Sequence, residues 1–582
     1  MGTTFLARVI SQNLAKKFET AARSGTLAEV NIDEAFARAL RQQKTGLLSE
    51  AEDGYRRILA VDPEQAEVHY NLGLVLRERG RLQDAVDAYE RALELQPRFP
   101  QAINNLGATF ESMGRLDEAE DMFRHALLLE PDSGDAWNNL GGVLKDLGRL
   151  DESIDCLERA GQLQPHHPRI HSNLVFALHY SPKHDAGALL SVARNWSDKF
   201  AAPLLPPNLS HGNESSPGRR LRVGYLSGYF REHCQTLFTV PLLSHHDHAR
   251  FEIFGYFDVS TPDALTARLK ASTDVWRQTA GLDDEEVAAL IREDQIDVLV
   301  DLSLHMAHDR LLVFARKPAP VQVTWLGYPG TTGMKSIDYR LTDPRLDPPG
   351  ETDANYAEQS VRLPDSFWCY DPLSEEPAVG SLPSAQSGKF TFGCLNNFCK
   401  VNDGALELWA RVLQAVPDSK LLLLAPAGAS RARTKARLGV TSERVEFVSY
   451  RPRAEYLKLY HGIDLCLDTF PYNGHTTTLD ALWMGVPVVS RGGATAVSRA
   501  GLSLMTSLGL PELVAENPAQ FVRLAVELAQ DRKRLVKLRA GLRQRLTQSP
   551  LMDAAQFSRT IERAYRTMWQ GWCTSRASGV KP

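Results

Sequence analysis

Asn-Leu pairs recur at 71–72, 105–106, 139–140 and 173–174, glycines at 46, 80, 114 and 148, and prolines at 63, 97, 131 and 165. The first third of the chain therefore repeats itself every 34 residues. Each glycine is followed two residues later by a leucine (48, 82, 116, 150), and Tyr55, Tyr89 and Phe123 hold one place on the helix between. This is the period of tetratricopeptide repeats, helical hairpins that cannot cover their own apolar faces and must stack into a superhelix. Three full repeats stand in the sequence, with a divergent one before them from near Val30 and a partial one after Pro165. Stacking places equivalent residues along one track, so Asn71, Asn105, Asn139 and Asn173 form a ladder. An amide both donates and accepts, which suits a peptide backbone of any sequence. For a single asparagine the preferred reading is plainer: a tie between helices.

Beyond Pro182 the pattern changes. A helical stretch, Ala186 to Phe200, leads into a Pro/Ser/Gly-rich linker from Pro203 to Gly218. Short apolar runs then alternate with helical ones. Strands are predicted over 221–226, 251–257, 296–302 and 321–326, and again over 390–395, 421–424, 445–448, 465–468 and 486–490. Apolar strands separated by helices imply parallel sheets covered on both faces. A break near 371–387 divides them into two α/β lobes, whose facing carboxyl strand ends would hold a ligand. The charged, amphipathic sequence from Ala519 to Trp572 is predicted to be helical and to brace the lobes, and the tail after Cys573 to be loose. The expected divisions are a helical segment at 1–29, the repeats at 30–182, helix and linker at 183–218, lobes at 219–386 and 387–550, and a C-terminal helix and tail at 551–582.

Composition narrows the function. At 582 residues the chain exceeds one core, and 66 basic against 71 acidic residues leave a net charge of −5, without the basic footprint of a nucleic-acid partner. The seven cysteines are scattered and never spaced C-x-x-C, which predicts free thiols rather than disulfides or a zinc site. No apolar run is long enough to span a bilayer, and the N-terminus lacks a signal-peptide pattern. The expectation is a cytoplasmic protein with neither membrane nor nucleic-acid partner. The run His245 to His248 is read as a polar loop rather than a metal site.

The chemistry concentrates late in the chain. The run Gly474 to Asp480 (GHTTTLD) lies between a strand-like and a helix-like segment. Strand, glycine turn and helix bring backbone N–H groups and the positive end of a helix dipole to one point, which suits a phosphate. The plainer reading is one threonine capping the helix.

The phrases RLRVGY (220–225), RKPAPVQ (316–322), WLGYPGT (325–331), CLDT (466–469) and NGHTT (473–477) resemble those of glycosyltransferase family 41, the O-linked N-acetylglucosamine transferases, in their bacterial form. The resemblance runs from about Val30 to Trp572. It implies an α-solenoid of tetratricopeptide repeats followed by a two-lobed α/β GT-B glycosyltransferase with Rossmann-like domains. Only the short 371–387 stretch stands where vertebrate members carry an extra domain. The resemblance places Lys400, His475, Thr476 and Thr477 on the diphosphate of the donor. It places Asp480 on the ribose, and Asn397, Arg451, Pro452, Arg453 and Tyr456 around the nucleotide. Three of these depart from the animal pattern: Arg453 replaces a lysine, Tyr456 a histidine and Asn397 a glutamine.

His233, after the first strand of the N-lobe, matches a histidine proposed in the family as the base, with a purely positioning role as the alternative. Lys400 is the second catalytic candidate. His305, Arg310, Tyr328, Pro329, Gly330 and Thr331 follow other N-lobe strands and are candidates to line the cleft. No Asp-x-Asp triplet occurs. The expected activity is therefore inverting, metal-independent transfer of N-acetylglucosamine from UDP-GlcNAc to Ser/Thr hydroxyls of proteins held by the array, with no cofactor. Alternatives are an O-fucosyltransferase using GDP-fucose, as implied by resemblance to plant relatives, asparagine glucosylation, and a nucleotide-sensing scaffold without transfer.

Overall fold

The glycines of the 34-residue period each end a helix in the computed structural model, which describes residues 31–578. Gly80 has φ +74°, and the N–H of Arg81 reaches back to the Leu76 carbonyl at 2.9 Å. This helix ending needs a left-handed residue, which selects glycine. The same bond joins Arg115 to Phe110 and Arg149 to Leu144. The expected segment at 1–29 lies outside the described residues.

The chain divides into two compact units, with the boundary between Pro131 and Asp132. In the first unit, helices Ile32–Lys44 and Leu48–Val61, Ala66–Glu78 and Leu82–Leu95, and Pro100–Ser112 and Leu116–Leu129 form successive hairpins. Tyr55, Tyr89 and Phe123 are wholly buried between them, each burial worth roughly 2 kcal/mol over exposure. Gly73 sits against the Tyr89 ring so closely that a Cβ would come within 2.6 Å of it, which explains the glycine after the first three Asn-Leu pairs.

The second unit opens with one more hairpin, Gly134–Asp146 and Leu150–Leu163, then helices Pro168–Leu178 and Ala186–Trp196. Two parallel sheets follow. The first contains β1 (Leu221–Ser227), β2 (Phe251–Phe257), β3 (Val275–Gln278), β4 (Val298–Asp301), β5 (Val321–Thr324), β6 (Tyr339–Thr342) and β7 (Gln359–Arg362), in the order β3-β2-β1-β4-β5-β6-β7. The second contains β8 (Thr391–Cys394), β9 (Lys420–Leu424), β10 (Val445–Val448), β11 (Leu465–Leu467), β12 (Val488–Arg491) and β13 (Val514–Ala515), in the order β10-β9-β8-β11-β12-β13. Every pairing is parallel, with Val223 opposite both Ile253 and Val298, and Cys466 opposite Val488. Each lobe is thus a doubly wound Rossmann-like sheet. Its strand order reverses between β1 and β4 in one lobe and between β8 and β11 in the other, and a crevice opens beyond the strands at such a point.

Four strands escape the sequence reading: β3, β6, β7 and β13. β3, β7 and β13 are edge strands, β3 and β7 only partly buried, and β6, beside β7, carries polar residues that weaken the apolar signal. The tail is also corrected. Helix Ala554–Ser578 continues through Cys573, and Arg576 donates to the carbonyls of His211 and Asn213. This helix packs against the N-lobe, with Phe557 5.7 Å from Trp325 and Arg566 donating to the Arg219 carbonyl. The linker is pinned as well: Asn213 is buried and donates to Asp297 at 2.8 Å.

Candidate functional site

Asp468 directly follows β11 and organises the loop beyond it. Its carboxylate accepts the N–H groups of Thr469 (2.8 Å) and Gly474 (2.7 Å), the Ser490 hydroxyl of β12 (2.6 Å), and the Asn396 amide beyond β8 (3.1 Å). Burial raises its pKa while these donors pull it down. The loop so held delivers His475 and helix Thr476–Trp483, whose N-terminus carries no side-chain cap. Its first-turn N–H groups therefore point outward with the positive end of the helix dipole. Thr477 donates its hydroxyl to Asn396. A threonine caps nothing here, contrary to the plainer reading of the sequence.

Lys400 arrives from the other side of the same switch point, one short turn after β8. Its Nζ donates to the Asn473 carbonyl at 2.9 Å and lies 4.1 Å from the centroid of the Tyr472 ring. Burial lowers its pKa. The His475 ring packs between Trp368 (5.2 Å) and Tyr472 (5.1 Å), and its buried Nε2 has no hydrogen-bond partner. Desolvation, with Lys400 nearby, holds this imidazole neutral, well below its ordinary pKa.

Around this cradle, Asp480 is buried and accepts from the Tyr370 hydroxyl at 2.6 Å and from Arg453 at 2.8 Å. Tyr456 is half-buried, its hydroxyl 2.7 Å from that of Tyr460, which in turn donates to the Thr477 carbonyl. Asn397, Arg451 and Pro452 are exposed at the rim. A small cavity with room for about one water molecule lies beneath the helix, bordered by Asn396, Asp468 and Thr477.

The N-lobe contributes the loop after β1. The His233 ring stacks on Tyr229 with centroids 4.2 Å apart, and its Nδ1 accepts the Gln235 N–H at 3.3 Å. That bond places the ring proton on Nε2. Desolvation, with Arg231 nearby, brings the His233 pKa down to about 4. The neighbouring Cys234 thiol is exposed, lies against the Thr476 hydroxyl, and feels the Lys400 charge. The two lobes therefore meet at His233–Cys234 and Lys400–Thr476.

The other N-lobe candidates do not line a cleft. His305 is wholly buried, with Nδ1 3.2 Å from the Ser172 hydroxyl and Nε2 3.0 Å from the Thr332 carbonyl. Arg310 is spent on Asp284 (3.2 Å), Asp258 (3.5 Å) and the Leu282 carbonyl. Tyr328 packs on Phe176 (5.2 Å) and His179 (4.6 Å), Pro329 and Gly330 are buried, and the Thr331 hydroxyl donates to Glu358 at 2.6 Å. These residues join the N-lobe to the last helices of the array. A polar residue after a strand was a poor guide because this loop faces protein rather than solvent.

Among the ladder asparagines, Asn71 is buried and donates to the Glu67 carbonyl (2.8 Å), and Asn105 donates to the Gln101 carbonyl and the Tyr70 hydroxyl. Asn173 donates to Asn138, which donates to Asn139. Asn105 and Asn173 thus tie neighbouring helices, whereas the bond of Asn71 stays within its own helix. The run His245 to His248 disperses: His246 is buried against Glu562 and Tyr225, His248 pairs with Asp274, and His245 meets the Pro241 carbonyl. Asp468, Asn396, Tyr370, Tyr472 and Cys234 escape the sequence reading, although an aspartate closing an apolar strand was a visible signal.

Comparison with known proteins adds the family. The signature of glycosyl transferase family 41 matches residues 189–374 and 383–561, and tetratricopeptide signatures match 66–99, 88–121 and 110–175. A Petunia hybrida protein named "Probable UDP-N-acetylglucosamine--peptide N-acetylglucosaminyltransferase SPINDLY" is 39% identical over 412 residues, 69% of this chain and 44% of the relative. Its Arabidopsis thaliana namesake is 38% identical over 70% of this chain and 46% of its own length. The chain thus spans less than half of these curated relatives. A solved structure of a mutant O-GlcNAc transferase from Thermobaculum terrenum aligns with TM-score 0.83 and 37% identity, covering 88% of this chain and 98% of that one.

Proposed function

The chain belongs to glycosyltransferase family 41, and from that premise we propose that it moves N-acetylglucosamine from UDP-GlcNAc to serine or threonine hydroxyls of proteins, with inversion and without a metal ion. The observation that carries the reading is the meeting of the Lys400 ammonium with the uncapped N-terminus of helix Thr476–Trp483. In such a transfer the acceptor oxygen bonds to the sugar C1 as the C1–O bond to the diphosphate breaks. The bonding pair leaves on the diphosphate, where negative charge grows in the transition state. Fixed donors aimed there lower the barrier most. Lys400 and the helix end supply the positive charge, so the reaction as proposed needs no divalent ion.

Tyr456 offers a ring face to the base, and Asp480, fixed by Tyr370 and Arg453, faces the ribose. His233 orients the acceptor hydroxyl through its Nε2 proton. A ring whose pKa lies near 4 is too weak a base to take a proton efficiently at neutral pH. The acceptor proton passes instead to the departing diphosphate or through water. The array presents the acceptor polypeptide. No helix among the described residues is long and apolar enough to cross a membrane.

The test is a thermal-shift panel of UDP, UDP-GlcNAc, UDP-glucose and GDP-fucose, since a ligand bound only by the folded state raises the melting temperature. The uridine compounds should raise it, GDP-fucose should not, and transfer to a protein acceptor should survive chelators. A shift with GDP-fucose alone contradicts the donor. Binding of nucleotide without any transfer contradicts the enzyme reading and favours the scaffold.

A further inference from the structure

Lys400 is held in an unusual way. No carboxylate lies within ion-pair distance of it among the described residues, and its Nζ rests on one carbonyl and the ring of Tyr472. A ring face attracts an ammonium without cancelling its charge, whereas a carboxylate would neutralise it. Two of the three ammonium protons stay available for a ligand.

Tyr472 is itself fixed from the array side. It is buried, and its ring stacks on Tyr180 with centroids 4.9 Å apart and planes 16° from parallel. Tyr180 follows helix Pro168–Leu178 and shares a buried cluster with Cys399, the residue before Lys400. The second neighbour of Tyr472 is the His475 ring, 5.1 Å away. One aromatic side chain therefore touches the last turn of the array and both side chains that flank the diphosphate position.

We infer that Tyr472 is a positioning residue for transfer: stacked on Tyr180, its ring holds the Lys400 ammonium at the diphosphate without neutralising it. Tyr180 carries the same role one step further out, which makes the end of the array part of the machinery for the donor as well as for the acceptor. The inference rests on the nucleotide-sugar reading above.

The test is titration of UDP and of uridine against wild type, Tyr472→Phe, Tyr472→Leu, Tyr180→Leu, Lys400→Ala and the Tyr472→Leu/Lys400→Ala double variant. Phenylalanine keeps the ring face, so Tyr472→Phe should bind UDP within about twofold of wild type. Tyr472→Leu should weaken UDP about tenfold and leave uridine unchanged, because uridine lacks the phosphates Lys400 reaches. Tyr180→Leu should weaken UDP about threefold. In the Lys400→Ala background the Tyr472→Leu loss should vanish. The inference is overturned if Tyr472→Leu leaves UDP affinity intact, if it weakens UDP and uridine alike, or if its effect persists without Lys400. If wild type binds no UDP at all, the nucleotide-sugar reading falls, and this inference with it.

Discussion

The two lobes share one device and use it differently. In each, the strand on the far side of the switch point runs into a buried aspartate, Asp301 as the last residue of β4 and Asp468 directly after β11. Both carboxylates tie down the loop that follows and accept a hydroxyl from the next strand, Thr324 on β5 at 2.7 Å and Ser490 on β12 at 2.6 Å. In the N-lobe the loop so fixed, Ser303 to His305, turns inward and docks on Ser172 of the array. In the C-lobe it delivers His475 and a free helix end to the crevice. Repetition of a fold thus repeats the scaffold of a site and leaves its chemistry to be set by what each loop faces.

Four changes sharpen or break this contrast, the largest first. Lys400→Ala should lower the rate of transfer about 10²- to 10³-fold, the scale on which removal of one preorganised donor acts. His233→Ala, in the opposing lobe, should cost less, about tenfold, and leave the pH dependence of transfer unchanged. Steady-state kinetics against a protein acceptor measures both, and an equal loss in the two variants would erase the asymmetry. Asp468→Ala and Asp301→Ala should each destabilise the fold by about 3 kcal/mol, because several buried donors lose their acceptor. Only the first should abolish UDP binding. Urea unfolding paired with UDP titration checks this, and loss of UDP binding in Asp301→Ala would contradict the division of roles.

Acid should weaken the fold next. Desolvation holds His179 at about 3 and His211, His233 and His305 at about 4, below the 6.5 of an exposed histidine. Unfolding then takes up protons once the pH falls below about 6.5, so their contribution is complete above that value and is lost as the pH falls toward 4. Asp301 and Asp309, raised to about 6 and 7 by burial, act in the opposite sense, and the histidines outnumber them. Stability should fall by about 1 to 3 kcal/mol between pH 7 and pH 5, read from urea midpoints. A flat profile would show that these histidines are solvated. The smallest effect belongs to Ser172→Ala, which removes one bond to His305 and should cost about 1 kcal/mol with UDP affinity unchanged. A change in UDP affinity there would join the docking loop to the donor site.

The strongest signals in the sequence were periodic. The 34-residue repeat survives translation into structure because each glycine and each aromatic has one steric job, as Gly80 and Tyr89 show. The inner strands were legible from their apolar runs: that at 251–257 coincides with β2, and that at 421–424 falls within β9. The polar edge strands were not. Arg340 on β6 is buried with Asp347 accepting from it at 2.9 Å, a pairing that a search for apolar strand runs does not reveal. The cradle was legible where chemistry coincides with local geometry, at Lys400 and in the run from His475 to Thr477. Asp468 stood in view at the end of an apolar run but belonged to no motif, and Tyr472 touches residues distant in sequence, Tyr180 and Lys400. His305 and Arg310 carry polar groups into a loop that the array covers, which a single strand-end rule could not foresee.

A crystal structure of the protein soaked with UDP puts the account to its most direct trial. It should show the diphosphate with an oxygen about 3 Å from the Lys400 Nζ and from a first-turn N–H of helix Thr476–Trp483, and no cation between them. A diphosphate resting on the loops after β1 and β4, or reaching the protein only through a bound metal ion, would contradict it.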